Sequence, residues 1–323
     1  MPDRREDSAR LELLRLLAND GYQFTTPAPS THRRVLLRRG RVMAATLDEV
    51  FGWNLPFETS GPLSRLIPTM EAAAVLRLQG REASSRLRVA SVGPLLFLHS
   101  AFPPHRADSV FMGPDSYAFV NFIRKAMPDL SDGALIADIG AGTGVGGIFA
   151  KCLAPQARLV LSDVNSGALE LARVNAAFAG QDCALEIAGG VPADLGPFDL
   201  ILANPPYIGG KPGKTYSDGG GALGAEVSLA WACAAIDSLK PGGRLLLYTG
   251  SAITRRGDAL REALAKVSSG AGCEFRYEEL DPDVFPSTLL HSAYWGVERI
   301  ASVGAVIQRA GRNPGPAPSV STP

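Results

Sequence analysis

The chain of 323 residues is 46% hydrophobic and 20% charged, which is enough apolar material to bury a core, and its 32 basic residues balance its 32 acidic ones. The four cysteines are widely spaced and form no CxxC pair, which argues against a zinc site or a disulfide framework, so we expect no metal. Because no apolar run approaches the roughly 20 residues of a membrane span, and the first residues lack a signal-peptide core, we expect a cytoplasmic protein without membrane contact.

Residues 1–108 are predicted to form a small N-terminal α+β accessory domain that recognises the substrate. This part carries fifteen arginines against eleven acidic residues and is therefore mildly basic. The predicted elements are a leucine-rich helix from Ser8 to Gly21, a β-hairpin over Arg33–Arg41, a short helix capped by Thr46–Glu49, a helix over Thr69–Leu78, and strands over Arg86–Ala90 and Leu95–His99.

The arginine-rich segment Arg33–Arg41 interleaves arginines with apolar residues, which predicts a hairpin with one buried and one positive face. Such a face could contact nucleic-acid phosphates without reading their sequence. It could also be a solvated positive surface, because no aromatic residues that would stack on bases are interleaved. The sequence leaves both interpretations open.

Residues 109–310 alternate strands with helices, which predicts an α/β fold with a doubly wound, seven-stranded, mainly parallel sheet. The predicted strands are Leu135–Asp138, Arg158–Ser162, Cys183–Ile187, Phe198–Ala203, Arg244–Tyr248, Glu274–Leu280 and Val303–Gln308. The predicted helices are Gly146–Leu153, Ser166–Phe178, Glu226–Leu239 and Asp258–Val267. Residues 311–323 have too little apolar content to fold and are predicted to be a disordered tail.

A glycine-rich loop, Asp138–Gly144, leads from the first of these strands into a helix, and its glycines would let a ligand lie against the backbone. Asp163 ends the next strand, where a carboxylate can accept both hydroxyls of a ribose. The loop therefore predicts a nucleoside site. The overlapping GxGxxG pattern Gly142–Gly147 leaves a dinucleotide-binding oxidoreductase as an alternative. Asp138 argues against it, because a carboxylate near the loop suits a cationic amino-acid group better than a pyrophosphate.

The tetrapeptide Asn-Pro-Pro-Tyr follows the apolar strand Phe198–Ala203. Its two prolines stiffen the backbone, so the carbonyl of Pro205 is a fixed acceptor. Asn204 adds a side-chain acceptor and Tyr207 a flat ring, so an amide or aromatic amine could be held by two hydrogen bonds and stacked on one face. These acceptors favour a transition state in which positive charge develops on the nitrogen.

The loop and the tetrapeptide are expected to be neighbours, although some sixty residues separate them. In a doubly wound sheet, ligands bind at the carboxyl ends of the strands where the strand order reverses. If the first and fourth strands flank that reversal, a cofactor on the loop and an acceptor on the tetrapeptide would meet.

Together, the glycine loop, the ribose acid and the tetrapeptide resemble the class I S-adenosylmethionine-dependent methyltransferases of the Asn-Pro-Pro-Tyr branch. This branch includes release-factor glutamine methyltransferases, adenine-amino methyltransferases and ribosomal RNA enzymes with a methyltransferase small domain. The resemblance covers roughly Val110–Arg309. It implies a Rossmann-like methyltransferase fold and S-adenosyl-L-methionine as the cofactor.

The resemblance also implies residue roles. Asp138 would bind the amino group of the cofactor and Asp163 its ribose. Asn204 and Pro205 would hold the acceptor nitrogen, and Tyr207 would stack on it. The other residues implied for cofactor binding are Gly113, Asp115, Gly140, Gly142 and Gly144. Relatives often carry an acidic residue after the third strand, whereas Ala188–Val191 offers none, so backbone groups or Asp194 would contact the adenine instead.

The expected function is direct methyl transfer to a planar nitrogen of a macromolecule, either a protein glutamine amide or an exocyclic amino group of an RNA or DNA base. A small-molecule acceptor, or a nucleic-acid-binding module that has lost catalysis, are the other possibilities. The glycine-rich segment Gly209–Gly221, with Lys211 and Lys214, is either a substrate lid or a surface loop. Trp231 and Trp295 are expected to be packing residues.

Overall fold

The computed structural model describes residues 4–40, 42–103, 108–208 and 222–311. The predicted lid over residues 209–221, with Lys211 and Lys214, and residues 312–323 of the predicted tail lie outside the described residues. None of the described helices combines the length and the apolar character that a membrane crossing requires. Within the same ranges, no group of three or more histidine, cysteine or acidic side chains is arranged to hold a metal ion.

The described residues form an N-terminal part of helices and short strands, followed by a large sheet with helices on both faces. The helices are α1 (Arg4–Asn19), α2 (Pro29–Arg39), α3 (Ile67–Ala72), α4 (Pro114–Ala126), α5 (Val145–Leu153), α6 (Ser166–Phe178), α7 (Glu226–Ser238) and α8 (Ala259–Gly270). The strands are β1 (Phe57–Glu58), β2 (Leu76–Gln79), β3 (Glu82–Ser85), β4 (Leu87–Val92), β5 (Leu95–Ser100), β6 (Leu135–Ile139), β7 (Arg158–Asp163), β8 (Ala184–Ile187), β9 (Phe198–Ala203), β10 (Leu239–Thr254), β11 (Gly257–Asp258), β12 (Cys273–Asp281) and β13 (Val297–Arg309).

The large sheet has the strand order β12-β13-β10-β9-β6-β7-β8, and the short β11 pairs with the end of β10. Neighbouring strands from β8 to β10 are parallel, whereas β13 runs antiparallel to both β10 and β12. All seven predicted strands are present, and the predicted doubly wound, mainly parallel sheet is confirmed. The strand order reverses between β6 and β9.

Alternate residues of the central strands face opposite layers of helices. On β9, Leu200 and Leu202 lie in a buried cluster with residues of α4, α5 and α6, whereas Ile201 and Ala203 lie in a cluster with residues of α7 and α8. Since both faces of the sheet are covered, its central strands, such as β9, are continuous apolar runs rather than alternating ones. The edge strand β12 instead alternates between half-buried and exposed residues over most of its length. Both patterns were recognisable in the sequence.

The N-terminal part shares a core with α6. Leu13, Leu14 and Leu17 of α1 lie in one buried cluster with Leu171 and Val174 of α6. Strands β4 and β5 form an antiparallel hairpin, as the sequence predicted, and β5 packs on α6 as well. The N-terminal part is therefore attached directly to a helix that covers the large sheet.

The arginine-rich segment forms helix α2, so the predicted hairpin over Arg33–Arg41 was wrong for the described residues. Pro29 occupies the first turn, where its fixed φ suits a helix start. His32, Val35 and Leu36 recur at helical spacing and are buried or half-buried, which leaves the arginines outward. The apolar residues of this segment fit the period of 3.6 residues of a helix as well as the period of two residues of a strand. Packing of these residues against the rest of the protein selects the helix.

Three further expectations were wrong in detail. Helix α1 begins at Arg4 rather than at Ser8, with acidic residues in its first turn. The predicted helix Thr69–Leu78 ends at residue 72, because Ala74 adopts a left-handed φ of 56°, and residues 76–79 form β2. Trp295 is 82% exposed rather than packed, because the adjacent aromatic residue, Tyr294, occupies the buried position.

Strand β13 packs closely on helix α4, and Gly304 makes this approach possible. A Cβ atom at Gly304 would lie 2.4 Å from the ring of Phe122, which is only 2% exposed. We expect Gly304→Ala to lower the free energy of unfolding by about 1–3 kcal/mol through overpacking, measured by denaturant titration. Gly270→Ala is the control, because its Cβ atom would meet nothing within 4 Å. Equal stability of the two variants would contradict this packing.

Candidate active site

The glycine loop and the Asn-Pro-Pro-Tyr segment leave the sheet side by side. Strand β6 is hydrogen-bonded to β9, and their last residues, Ile139 and Ala203, are register partners. The loop and the tetrapeptide follow these residues directly and line a single cleft of about 1730 Å³. The predicted meeting of the two motifs at the reversal of strand order is confirmed.

The loop between β6 and α5 requires glycine. Gly140, Gly142 and Gly144 have φ angles of 65°, 53° and 76°, which residues with a Cβ atom rarely adopt. At Gly140, a Cβ atom would also lie 2.6 Å from the ring of Trp231. Gly140 and Gly142 line the cleft, whereas Gly144 precedes the first residue of α5 and is not among the lining residues.

Asp163 lines the cleft at the end of β7, beside the loop. Its Oδ2 atom accepts a hydrogen bond from the backbone N–H of Gly142 at 2.9 Å, and its Oδ1 atom accepts one from the N–H of Asn165 at 2.9 Å. A carboxylate has about four acceptor positions. The two backbone bonds therefore fix its orientation and leave acceptor capacity for hydroxyl groups in the cleft.

Asp138 lies at the end of β6, is 2% exposed and lines the bottom of the cleft. Its Oδ2 atom accepts a hydrogen bond from the N–H of Gly147 at 2.7 Å. Burial raises the pKa of Asp138 to about 7, the hydrogen bond from Gly147 opposes this shift, and the neighbouring charge of Asp163 adds to it. A cationic group in the cleft would favour the ionised carboxylate.

Asn204 is half-buried and faces the same cleft together with Pro205. Among the residues that the structure describes, none forms a hydrogen bond with the side chain of Asn204. Its amide oxygen is therefore open to a ligand, next to a backbone that two consecutive prolines stiffen.

Tyr207 also lines the cleft, but its side chain is only 8% exposed. The ring lies over Gly250 and makes an edge contact with Phe285, with ring centroids 5.9 Å apart. The buried hydroxyl lies close to Asp115 and Tyr248 but forms no hydrogen bond of regular geometry in the described part of the chain. Burial, followed by the nearby charge of Asp115, raises the pKa of Tyr207 well above its usual value. The ring thus presents only a small part of its surface to the cleft.

The structure brings Asp115 into the cleft but not Gly113. Asp115 lies in the first turn of α4, where burial raises its pKa while the hydroxyls of Tyr207 and Tyr248 favour its ionised form. Gly113 precedes α4, its N–H donates to Ser116 Oγ at 3.3 Å, and the space beside its Cα atom is filled by the ring of a neighbouring phenylalanine. Gly113 contributes to the helix start rather than to the cleft surface.

Asn175 is a fully buried residue of α6 whose role was not predicted from the sequence. Its Oδ1 atom accepts a hydrogen bond from the N–H of Leu98 at 2.8 Å. Its Nδ2 atom donates to the carbonyl of Leu98 at 3.2 Å and to that of Thr143 at 3.0 Å. One side chain therefore joins strand β5 of the N-terminal part to the glycine loop.

Trp231 of α7 has a second function besides packing, because it also lines the cleft. Its ring covers Gly140, and its Nε1 atom donates to the carbonyl of Gly189 at 3.2 Å. Ala188 and Gly189 line the cleft after strand β8, whereas Asp194 does not. In the described residues, backbone groups rather than an acidic side chain occupy this end of the cleft.

We expect Asn175→Ala to lower the free energy of unfolding by roughly 3 kcal/mol, because it leaves three buried backbone groups without their partner. Denaturant titration measures this loss. Asn121→Ala is the matched control, since Asn121 is an exposed helical asparagine whose side chain accepts only a surface hydrogen bond from Arg124. A loss no larger than that of the control would show that the three bonds stabilise little.

Comparison with known proteins gives a consistent family. Residues 116–271 match the sequence model of the methyltransferase small domain. The chain is 36% identical over 123 residues to the release factor glutamine methyltransferase of Deinococcus radiodurans, which covers 35% of this chain and 44% of that protein. It is 40% identical over 76 residues to the ribosomal RNA small subunit methyltransferase C of Serratia proteamaculans, covering 23% and 22%.

The chain is also 30% identical over 146 residues to methyltransferase HEMK2 of Mus musculus, which covers 42% of this chain and 68% of that protein. It spans about half the length of the bacterial release-factor relatives that it matches. The segment that matches the family model contains the glycine loop and the Asn-Pro-Pro-Tyr tetrapeptide, and the matched relatives are methyltransferases. The chain therefore belongs to the methyltransferase small domain family of class I S-adenosylmethionine-dependent methyltransferases.

Proposed function

We propose that this protein transfers the methyl group of S-adenosylmethionine to a planar nitrogen of a macromolecule, either a protein glutamine amide or an exocyclic amino group of a nucleic-acid base. The observation that carries the proposal is the open amide of Asn204 in the same cleft as the glycine loop. Relatives named for a protein substrate and for an RNA substrate both match this chain. Family membership and site geometry therefore point to the same reaction.

The residues of the loop fit S-adenosylmethionine. When bound, this cofactor supplies an electrophilic methyl group on a sulfonium. Gly142 leaves open space beside the backbone for a ligand, Gly140 makes room for the ring of Trp231 on the cleft wall, and the carboxylate of Asp138 complements a cationic amino-acid group. Asp163 would accept the ribose hydroxyls with the acceptor capacity that its two backbone bonds leave open. Asp115 would add negative charge near the donor, and Gly113 and Gly144 would act by shaping the starts of α4 and α5.

Asn204 and Pro205 would hold the acceptor nitrogen. The amide oxygen of Asn204 and the carbonyl of Pro205 can each accept one N–H of an amide or an aromatic amine. Both acceptors gain strength as positive charge develops on that nitrogen, and positioning on a stiff backbone lowers the entropic part of the barrier. Tyr207 would contact the acceptor with the exposed part of its ring. The nitrogen loses its proton during or after transfer.

A macromolecular acceptor agrees with the size of the cleft. Small-molecule sites usually have volumes of about 300–1,000 Å³, and the cleft here is about 1730 Å³. Part of its wall, including Arg33 and Phe102, comes from the N-terminal part of the chain. We assign residues 1–108 to substrate recognition and residues 109–310 to the methyltransferase domain, with residues 311–323 as a tail.

The test is incubation with methyl-labelled S-adenosylmethionine and cell extract, followed by digestion with ribonuclease, deoxyribonuclease or protease. We expect label in one macromolecular fraction. Asn204→Ala should lower labelling about 10²–10³-fold, as removal of one transition-state acceptor does, while calorimetric affinity for the cofactor stays within twofold of the wild type.

Asp163→Ala is the matched variant on the cofactor side, and it should weaken cofactor binding by at least tenfold. The two variants thus separate acceptor binding from cofactor binding. Undiminished labelling by Asn204→Ala would refute its role, and absence of labelling by the wild-type protein in every fraction would refute the proposed function.

Cofactor affinity should depend on pH through Asp138. Because burial raises its pKa to about 7, the carboxyl is largely protonated at pH 5.5 and ionised at pH 7.5. A cationic ligand binds the ionised form better, so the association constant measured by calorimetry should rise about tenfold per pH unit below 7 and then level off. Asp138→Asn should remove this dependence. The same pH profile in both proteins would exclude Asp138 as its source.

A further inference from the structure

Helix α2 presents three exposed arginines on one face. Successive residues of an α-helix are rotated by about 100°, so Arg33, Leu37, Arg34 and Arg38 share an arc of about 140°, and all four side chains are exposed. No acidic residue occurs in α2. Within the described ranges, none of these three arginines forms an ion pair or a hydrogen bond through its side chain. We call this set, Arg33, Arg34 and Arg38, the arginine face.

Arg39 of the same helix differs from them. It forms an ion pair with Glu49 at 3.0 Å, and its guanidinium lies over the ring of Trp53 at 5.2 Å. Arg39 thus holds α2 on the protein surface. The arginine face lies on the other side of the helix, and its charge is not neutralised by described neighbours.

The arginine face continues the wall of the active-site cleft. Pro29 and Arg33 line this cleft together with Asn204, and Arg34 and Arg38 border a second depression of about 440 Å³ on the same helix. The helix is held firmly in this position. His32, on its inner face, is fully buried, contacts the carbonyl of Trp53 at 3.1 Å, and packs on the ring of Phe102 at 4.1 Å. If the reacting group of a polymer lay in the cleft at Asn204, the part of the polymer that extends out of the cleft would therefore contact the arginine face.

We infer that the arginine face binds the sugar-phosphate backbone of a nucleic acid whose base enters the cleft, an inference that rests on the proposed function. Arg33 and Arg38 are five residues apart, about 7.5 Å along the helix axis, so their guanidinium groups can reach different phosphates of one strand. Guanidinium groups bind phosphate oxygens through two parallel hydrogen bonds. Ser30 lies on the same arc, Thr31 lies about 20° beyond its edge, and both add hydroxyl donors, which also bind phosphates.

A nucleic acid fits this face better than an acidic protein. A nucleic-acid strand carries a phosphate at every nucleotide, so three arginines along a helix can bind phosphates whatever the base sequence. A protein partner would need acidic residues at matching positions. The acceptor would then be the exocyclic amino group of a base, held by Asn204 and Pro205. The arginine face would supply affinity and the cleft would select the base.

The experiment measures binding of a fluorescent 20-nucleotide single-stranded RNA by anisotropy at 50–200 mM salt. Three phosphate contacts contribute a slope of about −2 to log K against log salt. The triple variant Arg33→Gln/Arg34→Gln/Arg38→Gln should reduce the slope by about 2 and weaken binding at 50 mM salt at least tenfold. Arg15→Gln/Arg77→Gln/Arg81→Gln removes the same charge from exposed positions outside the cleft wall and should change binding less than threefold.

Cofactor calorimetry and labelled methyl transfer on the same proteins distinguish the inference from the proposed function. Label in RNA or DNA that falls at least tenfold in the arginine-face variant, with unchanged cofactor affinity, supports the inference. Label confined to protein, equal RNA binding by the two triple variants, or tighter binding of polyglutamate than of RNA by the wild type overturns it and leaves the methyltransferase proposal standing. Absence of methyl transfer overturns the proposed function, while the binding experiment still decides what the face binds.

Discussion

Hydrogen bonding between strands β6 and β9 is the constraint on which the site depends. These strands are far apart in sequence, and their parallel pairing at the reversal of strand order places their carboxyl ends together. At such a reversal the segments that follow the two strands open into one cleft. The apolar runs of both strands make this pairing stable, because each strand is buried on both faces by layers of helices. Packing of the sheet thus creates the geometry that the chemistry uses.

Polar side chains around this cleft form hydrogen bonds with the surrounding backbone and hold it in place without a bound ligand. Asp163 fixes Gly142, Asp138 fixes Gly147, and Asn175 fixes Thr143. The bonds to Gly142 and Thr143 satisfy backbone groups of the glycine loop, and the bond to Gly147 satisfies an N–H in the first turn of α5 that has no partner within the helix. The glycine loop is therefore shaped in advance, which lowers the entropy that a bound ligand would otherwise lose. The carboxylate of Asp138 is buried, and desolvation disfavours its ionised form. A cation bound nearby would stabilise that form.

The sequence predicted the central sheet and the placement of its two motifs well, for a physical reason. Strands such as Phe198–Ala203 are uninterrupted apolar segments, and glycines and prolines mark where they end. The N-terminal part was predicted less well. Arg33–Arg39 fits both a strand and a helix pattern, and contacts of His32 and Arg39 with distant residues select the helix. Asn175 was missed because an asparagine inside a helix has no local signature, and its partners come from β5 and the glycine loop.

Asn175 also makes the two parts of the chain interdependent. It ties the hairpin of the N-terminal part to the loop where the cofactor is proposed to lie, and α6 carries the apolar cluster that both parts share. The N-terminal part therefore cannot be replaced without affecting the glycine loop. Exchanging the N-terminal part for an unrelated unit would remove the backbone groups of Leu98 that hold Asn175, so a chimeric or shortened protein would lose part of the support of its glycine loop.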